Sequence, residues 1–114
     1  MNSYNGFTGE QREQGNKIIK KAIKDGILKP LTEVECLYCK QKEGIRHYHN
    51  EDYTPENIIS DAIPVCWRCH MMIHKRFRHP KSYEKYFAEI KKGKQYPPVY
   101  RATAWNELNI HLID

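Results

Sequence analysis

The sequence predicts a small α+β fold, stapled by cysteines at its centre and helical towards both ends. Three observations carry that expectation. Two C-x-x-C pairs, Cys36-Leu37-Tyr38-Cys39 and Cys66-Trp67-Arg68-Cys69, are separated by 26 residues. Short runs suited to strands lie between the pairs, punctuated by Gly44 and Pro55. Outside them, apolar residues recur at the spacing of amphipathic helices.

The 114 residues fit a single domain in three parts: a basic N-terminal helix in residues 1–31, a cysteine-stapled core in 32–79, and a helical and extended segment in 80–114. Thr8, answered by Gln11, can cap a helix from about Gly9 to Asp25 that stops at Gly26. Ile18, Ile19, Ala22 and Ile23 share one side of it, and Lys17, Lys20, Lys21 and Lys24 the other. That lysine face reads either as solvated or as tracking phosphates. Gly44 suits a turn between two short strands, and Ile45–His49 reads as a strand. Tyr53–Asn57 reads as a loop and Ala62–Val65 as a second extended piece. A helix is expected from about Trp67 to Phe77, ending before Pro80. Ser82 then reads as the cap of a helix over Tyr83–Lys92, closed by Gly93, with Tyr83, Tyr86, Phe87 and Ile90 as its packing stripe. Trp105–Ile113 reads equally as a short helix or a strand. Tyr96, Tyr100 and Trp105 could stack on bases, although packing is the favoured reading.

Hydrophobic residues make up only 39% of the chain, a thin supply for a core, and chains this small often recruit a metal. There are 19 Lys and Arg against 14 Asp and Glu, a net charge of +5 that suits a polyanion such as nucleic acid. No apolar run is long enough to span a membrane, and Met1–Gly15 lacks the apolar stretch of a signal peptide. An intracellular, cytoplasmic location is therefore expected, where cysteines stay reduced. Four thiolates as two knuckles can close a tetrahedron around Zn2+, so Cys36, Cys39, Cys66 and Cys69 are the expected structural zinc ligands. Such a zinc would clamp the first hairpin to the start of the helix that follows.

Five of the six histidines lie in the same stretch. His70 and His74 are four residues apart and share a helix face. His47 and His49 point to one side if they lie on a strand. A zincin protease needs Glu after its first helix histidine, and Met71 stands there instead. Asp61, with Asn57 before it, supplies a hard oxygen donor between the two histidine groups. Three clusters, His47/His49, Asp61 and His70/His74, are thus available for a second metal.

Around these residues the sequence resembles the HNH endonucleases, the ββα-metal nucleases with a zinc-ribbon staple. The resemblance runs through CLYC, IRHYHNEDYTPEN and SDAIPVCWRCHMMIH, from Cys36 to His74, about a third of the chain. The preceding KKAIKDGILKPLTEVE looks like the lead-in of small phage-borne members. The resemblance implies a ββα-metal core with flanking helices, a phage or bacterial origin, and metal-dependent hydrolysis of DNA. It implies a strand-end histidine as general base, His49 being favoured, with His47 as ligand or supporting histidine. Asp61, five residues before Cys66, fits the residue that supports the loop and the site, and Asn57 of Pro55-Glu56-Asn57 competes for that role. His70 and His74 fit the helix ligands, so the implied set for a catalytic Mg2+ or Mn2+ is His47, His70, His74 and Asp61. The family shows adjacent His-His or Asp-His where Tyr48 here separates two histidines. Arg46, Arg68, Lys75, Arg76, Arg78 and Lys81 surround the site and could hold the DNA backbone. Products with 5′-phosphate and 3′-hydroxyl ends are implied. A double-strand break would need a homodimer, two visits or a larger phage or host DNA-processing complex. The rivals are a zinc-ribbon module that binds DNA without cutting it and a zinc-ribbon protein–protein adaptor.

Overall fold

The structure is a computed structural model that describes residues 1–114. It is α+β: four helices and a two-stranded antiparallel sheet. In chain order these are α1 (Gly9–Lys24), β1 (Arg46–His49), α2 (Ile58–Asp61), β2 (Ile63–Cys66), α3 (Trp67–Lys75) and α4 (Pro80–Lys91). Single 3-10 turns occupy Leu31–Glu33 and Trp105–Leu108. No helix is long and apolar enough to cross a membrane.

Capping decides where α1 starts. The Thr8 hydroxyl accepts from the Gln11 amide, and the Gln11 side chain accepts from the Thr8 amide, so two otherwise orphaned donors are satisfied. The helix buries Gly15, Ile19 and Ala22 and leaves Lys17, Lys20, Lys21 and Lys24 exposed. Glycine at position 15 has a steric cause. A Cβ there would lie 2.4 Å from Ile58 Cδ1 and 2.9 Å from Tyr53 Cδ1. That close approach lets α1 cover fully buried Ile58, the centre of a small cluster with Tyr4, Ile19 and Tyr53.

The sheet pairs Arg46 with Cys66, His47 with Val65, Tyr48 with Pro64 and His49 with Ile63. No strand precedes Gly44, so the hairpin expected there is absent: Leu37–Cys39 form a turn, and β1 takes its partner from beyond α2. Cysteine knuckles bend the chain too tightly to extend it. β2 runs into α3 without a linker, because Cys66 is both the last strand residue and the helix N-cap, its sulfur 3.5 Å from the Cys69 amide.

Cys69, Met72 and Ile73 form the inner face of α3. They meet Cys36, Val65, Cys66, Tyr86 and Ile90 in the main core, so the cysteines sit inside the hydrophobic centre. α4 begins two residues before the expected Ser82 cap, with Pro80 in the first turn, where its missing N–H costs nothing. Ser82 instead lies inside the helix, buried, bonded to the Asp114 carboxylate and the Ile113 amide. Tyr96 stacks on Tyr86 with centroids 5.5 Å apart, and Trp105 packs against the main core. Tyr100 is exposed and donates to Glu43.

Truncating fully enclosed Ile73 to alanine is expected to cost about 2–5 kcal/mol, read as a lower urea midpoint, because the helix cannot collapse onto the void. Chelating a metal bound at the four sulfurs should remove most of the far-ultraviolet helical signal of the middle segment. Retention of a cooperative transition after chelation would contradict it.

Candidate metal centre and active site

The four cysteine sulfurs all lie within 4.8 Å of one another, and Cys39 Sγ is 3.5 Å from Cys66 Sγ. Zinc–sulfur bonds of about 2.3 Å demand tetrahedral edges of about 3.8 Å, so the cluster needs only slight adjustment to hold an ion. Hydrogen bonds from Cys39, Cys66 and Cys69 draw the Cys36 thiol well below its ordinary range, while contacts with Cys36 and Cys39 push Cys66 and Cys69 up. A divalent cation removes that conflict by letting all four become thiolates. The arrangement suits a structural metal such as zinc.

Next to it lies a second cluster built from two elements. Strand alternation turns His47 and His49 of β1 to one face, and helical spacing puts His70 and His74 of α3 opposite them. His47 Nδ1 is 3.2 Å from His70 Nδ1, and His70 Nε2 is 3.1 Å from His74 Nε2. His49 lies 5.3 Å from His70 and 5.4 Å from His74, centroid to centroid. One nitrogen from each of His49, His70 and His74 falls within the same 4.8 Å limit. His49 is 3% exposed, and its Nδ1 is buried with no hydrogen-bond partner.

Burial, reinforced by the neighbouring imidazoles, lowers His70 to about 3 and His74 to about 4. Burial also lowers His47 and His49. All four are therefore neutral near pH 7 and keep a lone pair to offer.

The clustered imidazoles open onto a cleft of about 350 Å³ beneath α1. His47, His49 and His70 line one side, and Arg12, Asn16 and Lys20 line the other. No protein family, curated protein or solved structure matches this chain.

Asp61 stands apart from the imidazoles. Its Oδ2 accepts from the Glu51 amide at 2.7 Å, the Asp52 amide at 2.8 Å and Asn50 Nδ2 at 3.4 Å, which ties down the turn after β1. Asn57 is exposed and donates to Asp52. Several basic residues are spent on the fold. Arg46 binds the Leu31 and Gly44 carbonyls, Arg68 the Pro97 and Leu108 carbonyls, and Arg76 the Glu51 carboxylate. Lys75 sits over the Trp105 ring, whereas Arg78 and Lys81 are exposed.

Sequence reasoning missed Glu51. Its carboxylate is bonded to His49 Nε2, to the Tyr4 hydroxyl at 2.6 Å and to both terminal nitrogens of Arg76. Burial pushes its pKa up, but hydrogen bonds from Arg76, Tyr4 and His49 outweigh that and lower it to about 2. A signal was present: Glu51 continues the His47, His49 alternation.

The imidazoles give a pH test. Unfolded histidine titrates near about 6.5, so below that the unfolded chain takes up protons that folded His70 and His74 refuse. Their stabilising effect is complete above about pH 6.5 and is lost progressively as the pH falls towards 4 and then 3. The urea midpoint of protein carrying only cysteine-bound zinc should drop between about pH 7 and about pH 5.5, and less so in His74→Gln. Equal midpoints at both values would exclude buried neutral imidazoles.

Proposed function

We propose that this chain is a metal-dependent DNA endonuclease of the HNH, or ββα-metal, type. The observation that carries the reading is the convergence of strand and helix imidazoles on a cleft whose opposite wall carries Arg12 and Lys20 among apolar residues. The +5 net charge and the lysine face of α1 fit a polyanionic substrate.

The donor set fits a divalent ion: three neutral imidazoles, one with an unpartnered buried nitrogen. Imidazole donors suit Mn2+ and other transition ions better than Mg2+, which prefers oxygen. His49, His70 and His74 would hold the ion, which supplies positive charge to the scissile phosphate and the departing 3′ oxygen. This exchanges the roles expected from the sequence, because both histidines line the cleft but His49 is 3% exposed and His47 only partly buried. His47 Nδ1 is turned to His70, and its Nε2 is neither hydrogen-bonded nor buried. As a neutral imidazole, His47 can take the proton of an attacking water at Nε2 once its Nδ1 contact with His70 opens on metal binding; while that contact stands, only one of their two Nε2 atoms has a free lone pair. Lys20 is placed to hold the phosphate; Arg12, which donates to the Asn2 carbonyl at 2.7 Å and lies over the Tyr4 and Tyr53 rings, adds positive charge to the cleft, and Asp61 fixes the turn that carries the strand end. One cleft per chain cuts one strand, leaving 5′-phosphate and 3′-hydroxyl ends.

Purified zinc-loaded protein is expected to nick supercoiled plasmid with Mn2+, and more slowly with Mg2+. His47→Ala should lower the rate by about 10²–10⁴-fold without changing zinc content or melting. Absence of nicking by folded protein with every divalent ion tested would leave a zinc-ribbon module that binds DNA without cutting it.

A further inference from the structure

A neutral imidazole has one N–H and one lone pair, so whatever fixes the N–H decides which nitrogen can bind a metal. For His49 that choice is made by Glu51. An ionised carboxylate only accepts, so a His49 Nε2 bonded to it must carry the hydrogen. The lone pair is then on Nδ1, the buried nitrogen left without any protein partner. Leaving such an atom unpaired is costly, and a cation between His49, His70 and His74 would pair it.

Glu51 itself is unsuited to the ion. Each carboxylate oxygen has two lone pairs: Oε2 is fully taken by His49, the Tyr4 hydroxyl and Arg76 Nη1, and Oε1 is held by Arg76 Nη2, so the oxygen beside His49 has nothing left for an ion. Its backbone is fixed as well, since the Glu51 amide donates to Asp61 and its carbonyl accepts from Asn5 Nδ2 at 3.0 Å. Tyr4 adds a second contact, its ring lying 4.6 Å from that of His74.

We propose that Glu51 is a positioning residue that fixes the tautomer of His49, so that Nδ1 faces the divalent ion, with Tyr4 and Arg76 keeping the carboxylate out of the ion's coordination. The inference rests on the metal site proposed above and does not depend on DNA cleavage. Second-sphere partners of this kind change metal affinity by about 10–100-fold.

The test uses full-length protein that already holds one Zn2+ per chain. Co2+ is titrated in and followed by calorimetry and visible absorption, and His49 is assigned by nitrogen–proton NMR correlation before Co2+ is added. Wild type should show His49 protonated at Nε2 and bind one further Co2+. Glu51→Gln, which keeps the volume, should weaken that binding by about 10–100-fold. Glu51→Ala should weaken it at least as much and give a mixture of His49 tautomers. Tyr4→Phe, which keeps the ring, should give a smaller loss in the same direction. Zinc content and thermal melting identify any variant that fails to fold, and Tyr4→Phe carries the test if both Glu51 variants do. Unchanged Co2+ affinity in the folded variants overturns the proposal, as does wild-type His49 protonated at Nδ1. A wild type that takes up no Co2+ beyond its zinc overturns it together with the metal site. The expected Co2+ results without plasmid nicking would uphold Glu51's role and remove only the endonuclease reading.

Discussion

The structure depends on four sulfurs brought together at the seam between the turn at residues 37–39, the end of β2 and the start of α3. They are core residues as well as candidate ligands: Cys36 and Cys69 have no exposed surface, and Val65, Met72, Ile73 and Tyr86 pack in the same cluster. A chain with 18 buried residues out of 114 has little apolar contact to rely on, and an ion held by the four sulfurs would add to it. The same seam sets the second cluster, because the helix capped by Cys66 carries His70 and His74, and the strand paired with β2 carries His47 and His49.

Around the imidazoles, tethers are divided between side chains of opposite sign. Asp61 holds backbone amides, Arg46 and Arg68 hold backbone carbonyls, and Glu51 with Arg76 forms an ion pair. These groups are withdrawn from ligand or substrate contact. The side-chain charges on the cleft that come from outside the cysteine-stapled segment are Arg12 and Lys20 of α1.

Much of the frame was legible in the sequence because it depends on local rules. The Thr8–Gln11 box and Gly26 bound α1 to within a residue, and the C-x-x-C spacing located the sulfur cluster. The 3.6-residue period also put His70 and His74 on one face of α3. What escaped depends on contacts distant in sequence. The one-turn α2 has too few residues to show a period, and it forms because Ile58 is enclosed by α1. Which of His47 and His49 is enclosed follows from Tyr4 and Arg76 meeting at Glu51, 47 and 25 residues away from it. The fates of Arg46 and Arg68 depend likewise on carbonyls 15 to 40 residues away. Composition alone cannot separate such tethers from a DNA-facing patch.

The junction at Cys66 leaves no spare residue between sheet and helix. Each α-helical residue turns the chain by about 100°. One residue inserted or deleted between Cys66 and His70 would therefore swing the histidine edge of α3 by roughly that angle, in opposite senses, and in either case away from β1. A change of length in this stretch would separate the two clusters, whereas residues 92–95 are exposed and carry no member of either, so added length there leaves their bearing unchanged.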